Sequence, residues 1–154
     1  MSPKIKITKE DILQTAVDIV KKQGEGALNA RNLAAALNCS TQPIFSNYAT
    51  MDQLRQAVVG EAYALCQSYI RREQETGEFP PYKASGMAYI RFAKEQSQLF
   101  RLLYMRDRSG EMIPEEAGLT DEMQTMVQNN TGLDETVAKL FHLEMWAYVH
   151  GIAT

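Results

Sequence analysis

The chain has 154 residues, room for one or two small domains that bury a real core. Its formal net charge of −3 excludes a polycation, and no apolar run reaches the roughly 18 residues that span a membrane. With no signal peptide, the expectation is a soluble, cytoplasmic protein with no membrane partner. The charge is uneven. Residues 1–60 hold seven Lys/Arg against five Asp/Glu, and residues 61–154 hold nine against fourteen. A basic end on an acidic body agrees with nucleic-acid binding at the N-terminus. Cys39 and Cys66 have no paired spacing and read as free thiols in a reducing compartment.

Residues 1–7 read as a flexible basic arm. Thr8 opens the first helix, with Asp11 three residues later in a variant of the capping box. Ile12, Leu13, Ala16, Val17, Ile19 and Val20 form its apolar stripe, Lys21 and Lys22 suit the C-terminal end of its dipole, and Gly24 and Gly26 end it.

Residues 29–48 predict two short helices joined by a tight turn. Asn29 caps the first, whose inward face carries Leu33, Ala34 and Leu37. Asn38 tolerates the left-handed conformation that ends a helix, and Cys39 is a small buried turn residue. Ser40 caps the second helix, with Pro43 as its third residue, where backbone N–H groups lack an intrahelical partner. Ile44 and Tyr48 face inward, leaving Thr41, Gln42 and Ser46 outward. A short helix with an outward face of small polar side chains suits a DNA major groove.

Thr50, with Gln53 completing a capping box, starts a helix of some 25 residues along Leu54, Val58, Ala62, Leu65 and Tyr69. Gly77–Pro81 breaks the chain. Helices follow over Tyr82–Gln96 and, capped by Ser97, over residues 98–105. Arg106–Ile113 reads as an exposed loop and Glu115–Asn129 as a helix ended by Asn130-Thr131-Gly132. Asp134 caps the last helix, which from Leu140 onward is apolar on almost every face and so needs cover on more than one side. Strand-period alternation is absent, and the expected fold is all-α.

From about residue 8 to residue 154, and most specifically in the first 55 residues or so, the chain resembles TetR/AcrR-type transcriptional regulators, residues 29–48 resembling part of their DNA-binding domain. Gly24-Glu25-Gly26-Ala27-Leu28 stands where that family has a glycine turn, and Leu33-Ala34 is similar to its Ile-Ala pair. Ser40 to Tyr48 resembles its recognition helix, Ser-x-x-x-Leu-Tyr-x-His-Phe, and Thr50-Met51-Asp52-Gln53-Leu54 resembles the start of its fourth helix. Trp146-Ala147-Tyr148-Val149-His150-Gly151 is similar to the Trp-His-Gly signature of one branch. Two positions depart from the pattern. Met51 stands where the family usually carries a phosphate-contacting lysine, and Phe45 replaces a tyrosine whose hydroxyl often does the same.

The resemblance implies a three-helix DNA-binding domain over residues 1–55 and a helical regulatory and dimerisation domain over residues 56–154. It implies DNA-facing roles for Asn29, Arg31, Ser40, Thr41, Gln42, Pro43, Phe45, Ser46, Asn47 and Thr50. Chemically, Gln42 suits a bidentate pair with adenine, Thr41 a thymine methyl or a phosphate, and Asn47 a phosphate. The implied partners are a palindromic double-stranded operator, a second copy of the chain and a small apolar effector that releases a repressor from DNA. Met87, Phe92, Phe100, Tyr104, Trp146 and His150 are the candidate effector pocket, since Met and aromatic side chains make an adaptable apolar lining. Phe141, Tyr148 and Ile152 are the candidate dimer face. Relatives continue for one more helix, so the sequence looks truncated at its C-terminus. The alternative reading is a helical small-molecule-binding or protein-interaction module without DNA binding.

Catalysis is not expected. His142 and His150 are two helical turns apart, too far for one metal, and Glu144 lies about 200° from His142 on the helical wheel. Cys39 lacks a histidine at any recognisable spacing, and no serine stands in a nucleophile-elbow motif. The residues imply no metal and no cofactor.

Overall fold

A computed structural model describes residues 6–106 and 121–154. Among these, every long element is a helix and none is a strand, so the fold is all-α as expected. The helices are α1 (Lys9–Gln23), α2 (Ala30–Ala36), α3 (Gln42–Asn47), α4 (Met51–Glu75), α5 (Pro81–Glu95), α6 (Ser97–Tyr104), α7 (Asp121–Thr131) and α8 (Glu135–Ala153). Lys4 of the arm lies outside the described residues. So do all but Arg106 of the expected loop and the start of the helix expected from Glu115. Among the described residues no helix is long and apolar enough to cross a membrane.

The chain divides into two compact units: Met1–Leu65 with Gln96–Met105, and Cys66–Glu95 with Arg106–Thr154. In the first, α1 packs against α2, α3 and α6. Its start is fixed by local chemistry. The Thr8 hydroxyl accepts the Asp11 N–H at 3.0 Å, and Asp11 Oδ2 accepts the Thr8 N–H at 2.8 Å. Ile12, Ala16, Val17, Ile19 and Val20 are buried along one face. Leu33, Ile44, Leu54, Val58, Leu99, Phe100, Leu102 and Leu103 are buried in the same unit.

α1 stops at Gly24, whose φ of +84° and ψ of 172° belong to glycine alone. A Cβ there would also stand 3.0 Å from Gln98 Oε1 of α6. The sequence reading did not foresee that α6, far along the chain, sits on this turn. Ser97 was expected to cap α6, but Gln96 holds the cap position and no side chain caps it.

In the second unit, α5, α7 and α8 pack on one another. Phe92, Ala84, Ala88, Val127 and Ala138 are fully buried there. The expected stripe of α4 is correct through Ala62. It then continues along Cys66 and Glu73, while Leu65 and Tyr69 are half-buried. The expected line steps three residues from Ala62 to Leu65, whereas the buried face steps four, to Cys66. Glu73 is 3% exposed, and Arg91 of α5 pairs with it at 2.7 Å. α8 begins as expected, with the Asp134 carboxylate accepting the Val137 N–H at 3.1 Å.

Gly24→Ala should lower stability by roughly 1–3 kcal/mol, because alanine cannot share this backbone conformation and Gln98 must move. Gly26→Ala, whose Cβ would meet open space, should shift the thermal midpoint little. Equal midpoints for the two variants would refute this account of the turn.

Acid should loosen both ends of the fold. Hydrogen bonds from Thr8 hold the Asp11 carboxyl below its ordinary range, and Lys139, then Gln124, do the same for Glu135. A depressed folded pKa contributes stability that is full above the unfolded carboxylate range and is lost as pH falls through the folded value. Asp11→Asn should therefore flatten the acid limb of a stability–pH curve. An unchanged limb would show that the box contributes nothing.

Candidate nucleic-acid interface

The candidate interface is built by α2, the turn after it and α3. Asn29 caps α2, its Oδ1 accepting the Asn32 N–H at 2.9 Å. Leu33 and Ala34 are buried and Leu37 is half-buried. The helix ends on two backbone bonds, Cys39 N–H to the Ala34 carbonyl at 3.0 Å and Asn38 N–H to the Ala35 carbonyl at 3.2 Å. This is the paired pattern of a Schellman turn. It requires a left-handed residue, and Asn38 supplies it with a φ of 50°. Cys39, expected to be buried, is only half-buried. Its backbone closes the turn while its side chain stays at the rim.

α3 starts one residue later than the sequence suggested. Thr41, not Ser40, occupies the cap position, with a helical φ of −73° and ψ of −13° and no side-chain cap bond. Its carbonyl already accepts the Phe45 N–H at 3.2 Å, so the turn is helical without an extended cap residue. Pro43 is consequently the second helical residue rather than the third. It still falls where an N–H has no intrahelical partner.

Six residues do not make a stable helix alone. Burial holds this one. Ile44 is 0% and Tyr48 5% exposed. Lys9 Nζ lies 4.9 Å from the centre of the Tyr48 ring, which ties the start of α1 to the end of α3. Burial first, then the charges of Glu10 and Glu61, push the Tyr48 phenol up, so it stays protonated.

With Ile44 and Tyr48 turned inward, Thr41, Gln42, Phe45 and Ser46 are exposed on the other face. The Ser46 hydroxyl donates to the Gln42 carbonyl at 2.9 Å, and the Asn47 amide to the Pro43 carbonyl at 2.8 Å. These two side chains lie along their own helix, while Gln42 and Thr41 project at its N-terminal end. Ser40 and Arg31 are exposed nearby in sequence. Thr50 is exposed and caps α4, its hydroxyl accepting the Gln53 N–H at 3.2 Å. Gln53 completes the box on the Ala49 N–H at 3.0 Å rather than on that of Thr50. Arg55, which the motif did not single out, pairs with Asp52 at 2.9 Å.

The six candidate pocket residues are divided. Phe100 and Tyr104 belong to the first unit, where their rings lie 5.1 Å apart. In the second unit Phe92 is buried edge-on against Tyr69, and Met87 is exposed. Trp146 and His150 come together, stacked at 5.0 Å. The Tyr89 hydroxyl, which the sequence reading missed, lies 2.8 Å from His150 Nδ1. A second rung of the same kind joins Tyr82 and His142 Nδ1 at 2.9 Å. Burial pushes the Tyr82 phenol up, so it keeps its proton. Which of the two atoms donates in this bond is set by the tautomer of the His142 ring.

Among the described residues, α8 carries several exposed apolar side chains. Tyr148 and Ile152, two of the candidate dimer residues, are 66% and 52% exposed. The third, Phe141, is half-buried and lies 6.1 Å from the Tyr82 ring. Leu140 and Leu143 of the same helix, not singled out from sequence, are 56% and 60% exposed. A scan against models of known families matches none with this chain, and a search of curated proteins finds no significant relative.

Proposed function

We propose that this chain is a DNA-binding transcriptional regulator of the TetR/AcrR type, acting as a repressor in the cytoplasm. The observation that carries the reading is the α2–turn–α3 geometry. A left-handed Asn38 turns the chain, Ile44 and Tyr48 anchor α3, and Thr41, Gln42, Phe45 and Ser46 are left on its open face. That face matches what a major groove presents. Gln42 supplies paired donor and acceptor for an adenine edge, and the Phe45 ring and Thr41 methyl suit thymine methyls. The N-terminus of α4 and the side chain of Arg31 suit phosphates. Two half-sites of an operator then require two copies of the chain related by a two-fold axis.

The exposed apolar side chains of α8 suit that pairing. Val137, Leu140, Leu143, Tyr148 and Ile152 are all exposed on one helix. Single exposed apolar residues are ordinary, whereas a row of them marks an interface. An apolar effector acting on the Trp146 and His150 side of the second unit would release the repressor by favouring a dimer that no longer fits both half-sites.

Gln42→Ala should weaken specific DNA binding by about 1–3 kcal/mol while leaving non-specific binding nearly unchanged. Parallel losses in both, measured by fluorescence anisotropy on selected and scrambled duplexes, would remove Gln42 from base reading. With Met51 and Phe45 in place of the usual phosphate donors, the salt dependence should be shallow, since each neutralised phosphate adds about 0.9 to the slope. A steep slope would place the contacts on Lys6 and Lys9.

Association should be concentration-dependent and run through α8. Leu140→Glu or Tyr148→Glu should shift sedimentation towards the monomer with little change in the thermal midpoint. A wild-type chain that stays monomeric at high concentration would defeat this arrangement.

A further inference from the structure

The second unit contains a cleft of about 200 Å³ lined by Tyr69, Arg72 and Glu73 of α4 and by Arg91 and Glu95 of α5. None of its lining residues belongs to the candidate nucleic-acid interface. One side of it is the Glu73–Arg91 pair, with Arg91 Nη1 2.7 Å from Glu73 Oε2. The Glu73 side chain is 3% exposed and that of Arg91 is 53% exposed. A carboxylate buried so far is costly unless it is paired, and Arg91 provides the pair. The same bond fixes the planar fork of Arg91. A guanidinium has five N–H donors, so one bond to Glu73 leaves others for a molecule in the cleft that Arg91 lines.

The remaining lining is also charged. Glu95 Oε2 accepts the Tyr69 hydroxyl at 2.8 Å, which orients the carboxylate and leaves Oε1 as an acceptor. Arg72 and Glu95 are both exposed. Glu73 and Arg91 largely satisfy each other. What faces an incoming molecule is the Arg72 cation, the spare donors of Arg91 and the Glu95 anion. A simple anion meets Glu95 as well as the arginines, and a simple cation meets the arginines as well as Glu95. A molecule carrying both signs meets each with its opposite. The volume is below the roughly 300–1,000 Å³ of pockets that hold drug-sized ligands.

We propose that this cleft binds a small zwitterion of the free α-amino acid class, with its carboxylate on Arg72 and Arg91 and its ammonium group on Glu95. The site differs in chemistry from an apolar effector pocket and lies wholly in the second unit, so its occupancy does not depend on DNA reading. Amide NMR titrations of the full chain with L-alanine, propionate and ethylamine test it. L-Alanine should give saturable shifts around residues 69–73 and 91–95, and the two single-charge analogues should bind at least about tenfold more weakly, as for loss of a charge-assisted bond. Arg72→Gln and Glu95→Gln should each weaken L-alanine by roughly tenfold to a hundredfold. Arg71→Gln, on an exposed neighbour outside the cleft, should not. Both test variants alter exposed side chains, and unchanged dispersion of the other amide signals checks their fold. The proposal is overturned if L-alanine causes no saturable shift, if propionate or ethylamine binds as well, or if Arg71→Gln weakens binding as much as Arg72→Gln.

Discussion

One left-handed residue sets the geometry on which the candidate interface depends. Asn38, at a φ of 50°, lets the Ala34 and Ala35 carbonyls find donors in the turn instead of in a further turn of helix. A residue with a branched or bulky side chain would meet a steric penalty there. Because α2 must end at this point, Ile44 and Tyr48 reach the core from the next helix, and the opposite face of α3 is left outward. The apparent freedom of Thr41 and Gln42 is thus a consequence of packing. They are exposed because two residues on the other side of the same short helix are not.

The second unit is held differently. Its interior contains charge and hydroxyls among the apolar side chains: the Glu73–Arg91 pair, the Gln74 amide bonded to Ser85 at 3.1 Å, and two tyrosine–histidine rungs between α5 and α8. Each bond in such a set contributes only about 1 kcal/mol net, yet losing one partner strands the other at greater cost. Sets of this kind define which face of one helix meets which face of its neighbour. Val149 stands within ordinary contact of where a Cβ on Gly86 would lie, so α5 and α8 approach closely between the two rungs. Packing and polar pairing here agree on a single register.

What the sequence disclosed follows the range of the interactions involved. The capping box at Thr8, the Asn29 and Asp134 caps, the Asn38 turn and the inward pair Ile44 and Tyr48 all rest on residues within one or two helical turns of each other. Such information is complete in a short window of sequence. The position of the α3 cap was misread because Ser40 and Thr41 are both good cap residues, and only the path of the chain chooses between them. Glu73 was missed because a glutamate in an amphipathic pattern reads as solvent-facing, and its partner belongs to the following helix. The candidate pocket was legible only as a composition. Aromatic and Met side chains at helical spacing do not say which of two units they enter, and Phe100 and Tyr104 enter the first.

That placement of α6 has a consequence for the candidate DNA-binding unit. Leu99, Phe100, Leu102 and Leu103 are all at most 3% exposed, and α6 packs on α1. At about 25 cal/mol per Å² of apolar surface, four such side chains represent several kcal/mol of burial, comparable to the whole net stability of a small domain. The α1–α3 unit is therefore not self-sufficient within residues 1–65. It is completed by a segment that the chain delivers only after the end of α4 and all of α5, which belong to the second unit. Closing so long an excursion adds little entropy cost beyond that of a shorter one, because the cost grows only with the logarithm of loop length. The arrangement thus makes the integrity of the α1–α3 surface depend on a helix supplied from beyond it.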